Sequence, residues 1–439
     1  MHTELKRLTG WNVSDEIAAT SVAPRALAVF PAGSNGEFNL PEDTLRVIDR
    51  GLGCQVWDAE GREMLDMSMG WGSVLPGHAR KEVIAAVRKR LAFGTNFAAV
   101  NTESLSLAEV LLGLQPQSNR TIRFCASGTE ATMHCLRIAR AATRKRLVLK
   151  FEGAYHGSND EGVTSLFPTG TTPFPNPEPS SAGVHSTDTI IAPYNDAERT
   201  AAIISEHASE LACVIVEPLH RCLAPRPGFL ESLREICSHL GVLLVFDEVV
   251  TGFRLALGGA QERYGVPADL VAYGKALGGG LPIGAFVGRR ELMSLVEEHR
   301  AGTPEYVWTA STLGGNPLSC AGAMASLRVY AQPGTYDTLD TLGKTLRDTL
   351  KRALRDTGHV GQVIGDGPLG QIVFSDQPVF DYRSTLAGDR AKSRAMMLGL
   401  YRAGVFVNPM GTKLYLSLAH DANAIREFGN RLRDVLKQL

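Results

Sequence analysis

The sequence predicts an α/β fold with a large domain, in which helices cover a mostly parallel sheet, and a smaller α+β domain. From about residue 121 to 274, six short apolar runs alternate with segments that are often long enough for a helix. Such alternation is typical of parallel strands joined by crossover helices in a sheet buried on both faces. After about residue 330 the pattern changes to one long helix, a few short apolar runs and a final helix near 421–437.

These changes of pattern divide the chain into three parts. Residues 1–75 form an N-terminal segment that joins the smaller domain, 76–328 form the large domain, and 329–439 form the C-terminal smaller domain. Helical periodicity from 81 to 114 precedes the alternating region. The stretch 158–188 is rich in Pro, Ser, Thr and Gly and is predicted to be a loop, and loops of that length often cover a functional site.

Composition and charge exclude several classes of function. The chain has 45 Lys and Arg against 46 Asp and Glu, which gives no electrostatic reason to expect nucleic acid or an anionic membrane as a partner. Its seven cysteines are scattered without a C-x-x-C pair, so they are predicted to be reduced thiols and not disulfides or zinc ligands. The N-terminus lacks the apolar segment of a signal peptide, and no apolar run approaches the roughly 18 residues of a membrane span. The sequence therefore predicts a soluble cytoplasmic protein without a metal site.

A helix N-terminus with small polar residues follows the first apolar run. Ser127, Gly128 and Thr129 come directly after 121-TIRFCA and precede a helical segment. The free N–H groups and the positive dipole end of such a helix, with two hydroxyls beside them, suit a phosphate group. The same residues also fit an ordinary helix N-cap with Glu130 as the capping-box partner. Both interpretations stay open on this segment alone.

Three further strand ends carry aromatic or reactive side chains. Tyr155 and His156 follow the second apolar run, Asp247 follows the fifth and Lys275 follows the sixth. Ligands gather at the carboxyl ends of strands in open α/β sheets, so these side chains are candidates for one site, although the aromatic pair alone fits packing equally well. A desolvated lysine loses its proton more readily and becomes a nucleophile toward a carbonyl. With the phosphate seat, the set matches the needs of pyridoxal 5′-phosphate (PLP): a Schiff-base lysine, an acid for the pyridine nitrogen and a phosphate anchor.

Several longer segments resemble one enzyme family. The chain reads 127-SGTEATMHCLRIARA, 151-FEGAYHG, 245-VFDEVVTGFR, 258-GGAQERYGVPADLVAYGKALGGGLPIGAF, 311-STLGGNP and 417-SLAH. These segments resemble the class III (fold type I) PLP-dependent aminotransferases, and within them the glutamate-1-semialdehyde 2,1-aminomutases. The resemblance runs from about residue 45 to the C-terminus, and the block from Val245 to Phe286 is specific to the family.

The resemblance implies catalytic roles for particular residues. Lys275 would form the Schiff base with the cofactor and move the proton between the substrate carbon and the cofactor. Asp247 would pair with the pyridinium nitrogen. Tyr155 and Val249 would pack against the two faces of the cofactor ring, with His156 beside them.

The resemblance also implies residues for the phosphate, the partner subunit and the substrate. Ser127, Gly128 and Thr129 would hold the phosphate. Thr312 would reach the phosphate of the neighbouring subunit, because members of the family build each active site at the interface of a homodimer. Trp71 lies where the family has an aromatic residue of the substrate pocket.

The chain departs from the aminomutases in the segments that contact the substrate. Where they have an arginine for the substrate carboxylate in the N-terminal loop, this chain reads 31-PAGSNGEFNL, and Asn39 is the nearest equivalent position. Where the family has a turn of small residues after a strand end, this chain reads 219-LHRC. We expect Arg221 to supply the carboxylate contact, because its fork of donors suits a carboxylate. An ordinary surface ion pair is the alternative.

These departures favour transfer of an amino group between two small molecules, an amino compound and a carbonyl acceptor. Intramolecular transfer by a glutamate-1-semialdehyde 2,1-aminomutase is the first alternative, and racemisation or epimerisation with PLP is a less favoured one. The chain has no G-x-G-x-x-G after an early strand, no G-x-S-x-G and no H-E-x-x-H, which argues against a dinucleotide-dependent oxidoreductase, a serine hydrolase and a zinc enzyme. A non-catalytic binding protein on the same fold would not need both Lys275 and Asp247.

Overall fold

Three β-sheets organise residues 22–36, 40–407 and 413–439, the part of the chain that the computed structural model describes. The first sheet combines strands from both ends of the chain: β1 (Ile48–Leu52), β2 (Gln55–Asp58), β3 (Glu63–Asp66) and, close to the C-terminus, Val405–Phe406. The first three strands are antiparallel neighbours, and the C-terminal strand pairs in parallel with β3. The smaller domain is therefore built from both ends of the chain, as predicted.

Seven strands form the central sheet of the large domain: β4 (Arg120–Cys125), β5 (Leu147–Phe151), β6 (Thr189–Ala192), β7 (Leu211–Val216), β8 (Leu243–Glu248), β9 (Leu270–Tyr273) and β10 (Gly284–Arg289). Their order across the sheet is β4-β10-β9-β8-β7-β5-β6. Strand β10 is antiparallel to both of its neighbours, and the other strands run parallel to one another. This confirms the predicted mostly parallel sheet. The sequence pattern did not predict β10, because glycines at 284 and 288 interrupt its apolar run.

A third sheet lies in the C-terminal region and contains β11 (Gln362–Ile364), β12 (Leu369–Val373) and β14 (Leu414–Tyr415). The strand Val405–Phe406, which belongs to the first sheet, is β13. The α-helices lie between and around the strands: α1 (Val22–Val29), α2 (Met69–Gly72), α3 (Lys81–Leu91), α4 (Thr102–Gly113), α5 (Gly128–Thr143), α6 (Asp160–Val163), α7 (Ala197–His207), α8 (Phe229–Leu240), α9 (Gly259–Tyr264), α10 (Arg290–Met293), α11 (Pro317–Tyr330), α12 (Thr335–Asp356), α13 (Tyr382–Leu386), α14 (Arg390–Arg402) and α15 (Ala422–Leu436). The helical periodicity at 81–114 belongs to α3 and α4, and the predicted loop 158–188 contains the short helix α6. The domain limits 1–75, 76–328 and 329–439 stay predictions.

Alternate residues of the parallel strands pack into separate hydrophobic cores on the two faces of the central sheet. On one face, Cys213 and Ile215 of β7 pack in a cluster with buried side chains of α5. On the other face, Val214 and Val216 pack in a cluster with buried side chains of α8. Side chains of successive strand residues point to opposite faces, so a strand buried on both faces is apolar throughout, which explains the runs in the sequence. Both faces of the sheet are therefore covered, and the edge formed by the carboxyl ends of its strands remains available for a site.

All seven cysteines are free thiols in the structure. None of the helices in the described ranges combines the length and the apolar character that crossing a membrane requires.

Candidate active site

Lys275 directly follows strand β9 at the carboxyl edge of the central sheet. β9 ends at Tyr273, and after Gly274 the lysine opens a single turn of 3-10 helix with a φ of 41°. A Cβ atom on Gly274 would lie 3.3 Å from both Gly128 Cα and Val249 Cγ1. The glycine therefore lets the end of β9 pass close to the N-terminus of α5, which brings the predicted lysine beside the predicted phosphate seat.

The Lys275 side chain is half-buried and carries an amine without a fixed partner. Within the described ranges its Nζ atom makes no hydrogen bond or ion pair. Burial lowers the pKa of Lys275; the carboxylate of Asp247 opposes this effect and the positive charge of Lys413 adds to it. A lowered pKa increases the fraction of free amine at neutral pH, and the free amine is the form that attacks a carbonyl.

Asp247, on the strand next to β9, forms a buried pair with His156, which lies in the segment after β5. Asp247 lies on β8 and pairs with Ala272 of β9 in the register of the sheet. His156 Nδ1 donates to Asp247 Oδ2 at 2.8 Å, and the Val249 N–H donates to Asp247 Oδ1 at 3.0 Å. These two donors compensate for the hydration that the carboxylate loses on burial. The other ring nitrogen, His156 Nε2, is buried without a hydrogen-bond partner in the described part of the chain.

Tyr155 is the exposed neighbour of this pair, with 42% of its surface accessible. Its N–H donates to Glu217 Oε1 at 3.2 Å, and its hydroxyl lies 3.1 Å from Ser158 Oγ. The Ser158 N–H in turn donates to Thr129 Oγ1 at 3.3 Å. The segment that carries Tyr155 and His156 is thus bonded to the N-terminal turn of α5, and the tyrosine ring is left open to a planar ligand.

Ser127 is the N-cap of α5, as the ordinary interpretation of this segment predicted, but Glu130 bonds to the Ala126 N–H and not to the Ser127 N–H of a capping box. Its Oγ accepts from the Glu130 N–H at 3.2 Å, and Glu130 Oε2 accepts from the Ala126 N–H at 2.9 Å. A Cβ atom on Gly128 would lie 2.7 Å from Val249 Cγ1, so the helix begins directly against the segment after β8. The cap does not exclude the phosphate interpretation, because the first N–H groups of a helix have no partner within it.

The residues at this edge of the sheet fit PLP. The cofactor has an aldehyde, a pyridine nitrogen, a flat ring and an anionic phosphate, and the edge offers an unpaired amine, a buried carboxylate, an exposed aromatic ring and a helix N-terminus. Two observations support the fit. His156 Nε2 is a buried polar atom that lacks a partner, and glycines occupy positions 128 and 274, where a Cβ atom would crowd Val249.

Thr312 follows a residue that is bonded to the first turn of α5. It is exposed, and its carbonyl accepts from Asn96 Nδ2 at 3.1 Å. The preceding residue, Ser311, donates to Glu130 Oε2 at 3.0 Å, which places this segment near the beginning of α5. Thr312 makes no hydrogen bond to residues 127–129 of its own chain.

Trp71 lies in the short helix α2, half-buried and with a φ of 54°. Gly72, the next residue, packs against the ring of Tyr415, since a Cβ atom there would be 2.6 Å from the ring. The Gly72 carbonyl accepts from Nη2 of the buried Arg254. Trp71 is therefore held beside strand β14 of the smaller domain.

The Arg221 guanidinium group binds main-chain carbonyls. Its Nε donates to Gly153 O at 2.8 Å, and its Nη2 donates to Leu166 O at 3.0 Å. The group also lies 5.7 Å from the ring centre of Phe167 and 5.4 Å from that of Tyr382. It forms no ion pair within the described ranges, so the structure does not have the surface ion pair that was the alternative. Asn39, the other position singled out for the substrate, lies outside the described residues.

The sequence pattern missed two lysines near this site. Lys150 lies inside β5 and is fully buried, and a lone lysine within an apolar run is itself a signal, because buried lysines need partners. Lys413 directly precedes β14, and its Nζ lies 5.6 Å from the ring centre of Tyr415. Nothing in the local sequence indicates its position, which depends on how the smaller domain packs.

Comparison with known proteins identifies the family to which the chain belongs. A family model described as "Aminotransferase class-III" matches residues 39–436. The chain is 38% identical over 399 residues to the glutamate-1-semialdehyde 2,1-aminomutase of Thermomicrobium roseum, an alignment that covers 89% of this chain and 91% of the relative.

Solved structures agree with that assignment. An ω-transaminase from Sphaerobacter thermophilus matches with a TM-score of 0.88 and 32% identity and covers 99% of both chains. A transaminase with PLP bound matches with a TM-score of 0.85 and 27% identity, over 97% of this chain and 98% of the other. The chain belongs to the class III aminotransferases, a family of PLP-dependent enzymes.

Proposed function

We propose that this enzyme transfers an amino group from a small amino compound to a separate carbonyl acceptor. The observation that carries the proposal is the unpaired amine of Lys275 beside the buried pair of Asp247 and His156. When bound, PLP supplies a conjugated ring that withdraws electrons from the substrate carbon. The residues of the chain hold that ring and move protons.

Each proposed role follows from the local chemistry. Lys275 Nζ would hold the cofactor through its carbonyl carbon and would accept and return the proton of the substrate carbon, because burial lowers the pKa of Lys275 and so favours the free amine. Asp247 presents its carboxylate to the ring nitrogen, with His156 orienting it. Tyr155 and Val249 cover the two ring faces, and Ser127, Gly128 and Thr129 bind the phosphate.

A second candidate function is glutamate-1-semialdehyde 2,1-aminomutation. It is favoured by the relative from Thermomicrobium roseum, which carries that name at 38% identity. Against it stands the absence of an arginine from the sequence 31-PAGSNGEFNL. The ω-transaminase from Sphaerobacter thermophilus, at 32% identity over nearly the whole chain, favours transfer between two molecules.

An assay with and without a second substrate tests the choice. The PLP-loaded protein is incubated with glutamate-1-semialdehyde alone, and separately with a panel of amines plus pyruvate or 2-oxoglutarate. We expect amine-dependent formation of the new amino acid and no turnover of the semialdehyde alone. The Lys275→Ala variant serves as the inactive control. Isomerisation of the semialdehyde without any acceptor would assign the enzyme to the mutases.

We further propose that a substrate carboxylate binds between Arg221 and Lys413. Arg221 Nη1 is not used in the bonds that hold this side chain to Gly153 and Leu166. The Lys413 ammonium makes no hydrogen bond or ion pair with described residues. Although burial alone would lower the pKa of Lys413, its neighbours raise it overall, so the group is charged. Two cations with unused donors suit the two oxygens of a carboxylate.

Substitution of the two cations separates substrate recognition from folding. Lys413→Met should raise KM about 10- to 100-fold for amines that carry a carboxylate and leave KM unchanged for the matching amines without one. Arg221→Ala should do the same and also lower the melting temperature, because it removes two bonds to carbonyls. Lys437→Met, at an exposed position, is the control. Equal changes for both kinds of amine would disprove the carboxylate contact.

We propose that the enzyme works as a homodimer in which Thr312 contacts the phosphate in the partner's site. Thr312 is exposed next to the apolar side chains of Phe97, Val100 and Leu313, which are 49%, 84% and 49% exposed. The segment that carries Phe97 and Val100 is joined to the segment that carries Thr312 and Leu313 by the hydrogen bond from Asn96 Nδ2 to Thr312 O. Exposed apolar side chains on neighbouring segments are typical of an interface between subunits.

Cofactor titration of a Thr312 variant tests the shared site. Thr312→Ala should raise the Kd for PLP about 10-fold or more, since it removes a hydrogen bond to a charged group. Thr303→Ala, which is also at an exposed position, should leave the Kd unchanged. Gel filtration with light scattering on the same samples gives the oligomeric state. A monomer that binds PLP as tightly as the wild type would contradict the proposal.

The free thiols also bear on where the enzyme works. All seven cysteines are unpaired, and six of them are buried. Unpaired cysteines persist in reducing compartments, and we therefore propose that the enzyme is cytoplasmic.

A further inference from the structure

Lys150 is the most completely enclosed lysine near the site, and none of the roles proposed above involves it. Its exposed surface is 0%. Its Nζ lies within hydrogen-bond distance of four main-chain carbonyls, those of Ala154 at 2.9 Å, Glu161 at 3.1 Å, Gly162 at 2.9 Å and Thr164 at 2.7 Å, which share its three N–H donors. No carboxylate lies within ion-pair distance of it in the described part of the chain. The lysine is thus held by main-chain oxygens only.

This arrangement is costly unless the carbonyls need the lysine. Removing an ammonium group from water costs free energy, and an apolar side chain of similar length would fit a buried strand without that cost. Each of the four carbonyls, however, would lose a partner if the lysine were replaced by an apolar residue. Buried carbonyls without a partner are themselves destabilising. The lysine and the curved segment 154–164 therefore depend on each other.

The same segment carries the residues that face the cofactor. Tyr155 and His156 follow Ala154 directly, and the His156 N–H donates at 3.1 Å to Gly162 O, one of the four oxygens that Lys150 binds. From this position Tyr155 reaches Glu217 through its N–H, and the imidazole of His156 reaches Asp247. A displacement of the carbonyls that Lys150 binds would therefore disturb both the contact of Tyr155 with Glu217 and the contact of His156 with Asp247.

We propose that Lys150 is a positioning residue of the cofactor site: by binding four carbonyls of segment 154–164 it holds Tyr155 and His156 in place for PLP. The lysine itself touches neither the cofactor nor the substrate. The proposal depends on PLP binding but not on which amine or acceptor the enzyme uses, so it can fail while the proposed amino transfer stands, and the reverse.

The first test compares Lys150→Met with Lys145→Met. Lys145 is half-buried just before β5 and donates to a single carbonyl, Ala208 O, at 2.8 Å, so its loss controls for removing a lysine in this region. Hydrogen exchange of the PLP-free protein is measured well below the melting temperature of each variant. We expect Lys150→Met to lose protection at the amides of Gly153, His156 and Thr164, and strand β8 to keep its protection.

The second readout is the affinity for PLP under the same conditions, followed by the visible absorption and circular dichroism of the bound cofactor. Lys150→Met should raise the Kd about 10-fold or more and change the dichroism, and Lys145→Met should do neither. A lysine with a purely structural role would lower the melting temperature and leave both the protection of the segment and the Kd unchanged, which would overturn the proposal. If Lys150→Met does not fold, Lys150→Gln, which keeps two N–H donors, takes its place in the comparison.

Discussion

The active site depends on the close approach of the end of strand β9 to the N-terminus of α5. Gly274 and Gly128 make that approach possible, because a Cβ atom on Gly274 would lie 3.3 Å from Gly128 Cα and one on Gly128 would lie 2.7 Å from Val249. A third glycine, Gly284 of β10, lies against Ser127, since a Cβ atom there would be 2.2 Å from its carbonyl oxygen. Side chains at these positions would separate the amine of Lys275 from the helix end that is suited to a phosphate.

Several basic side chains lie near the carboxyl edge of the central sheet. Lys275 receives the positive potential of Lys413 and the negative potential of Asp247, and burial acts on it most strongly. Lys150 is held by carbonyl oxygens and Arg221 by carbonyls and aromatic rings. Arg221 and Lys413 are therefore the positive charges placed to meet the negative charge that a carboxylated substrate would bring.

Much of this site was predictable because strand ends are visible in a sequence. Asp247 and Lys275 each end an apolar run, and parallel strands bring such ends to one edge. The bonds of Arg221 were not predictable, because its partners, Gly153 and Leu166, lie on a distant segment whose path depends on the whole fold. The contacts of Lys150 were not predictable for the same reason, because the four carbonyls that it binds belong to a loop without a periodic sequence pattern. Strand β10 was not predicted because glycines at 284 and 288 interrupt its apolar run.

We propose that Lys275 is the residue to which the cofactor is attached. The most direct measurement is reduction of the PLP-loaded wild-type enzyme with borohydride, followed by proteolysis and mass spectrometry of the labelled peptide. We expect a yellow protein that loses its colour on reduction and a pyridoxyl group on the single peptide containing Lys275. A colourless protein that binds no PLP, or a label on another lysine such as Lys413 or Lys150, would contradict it.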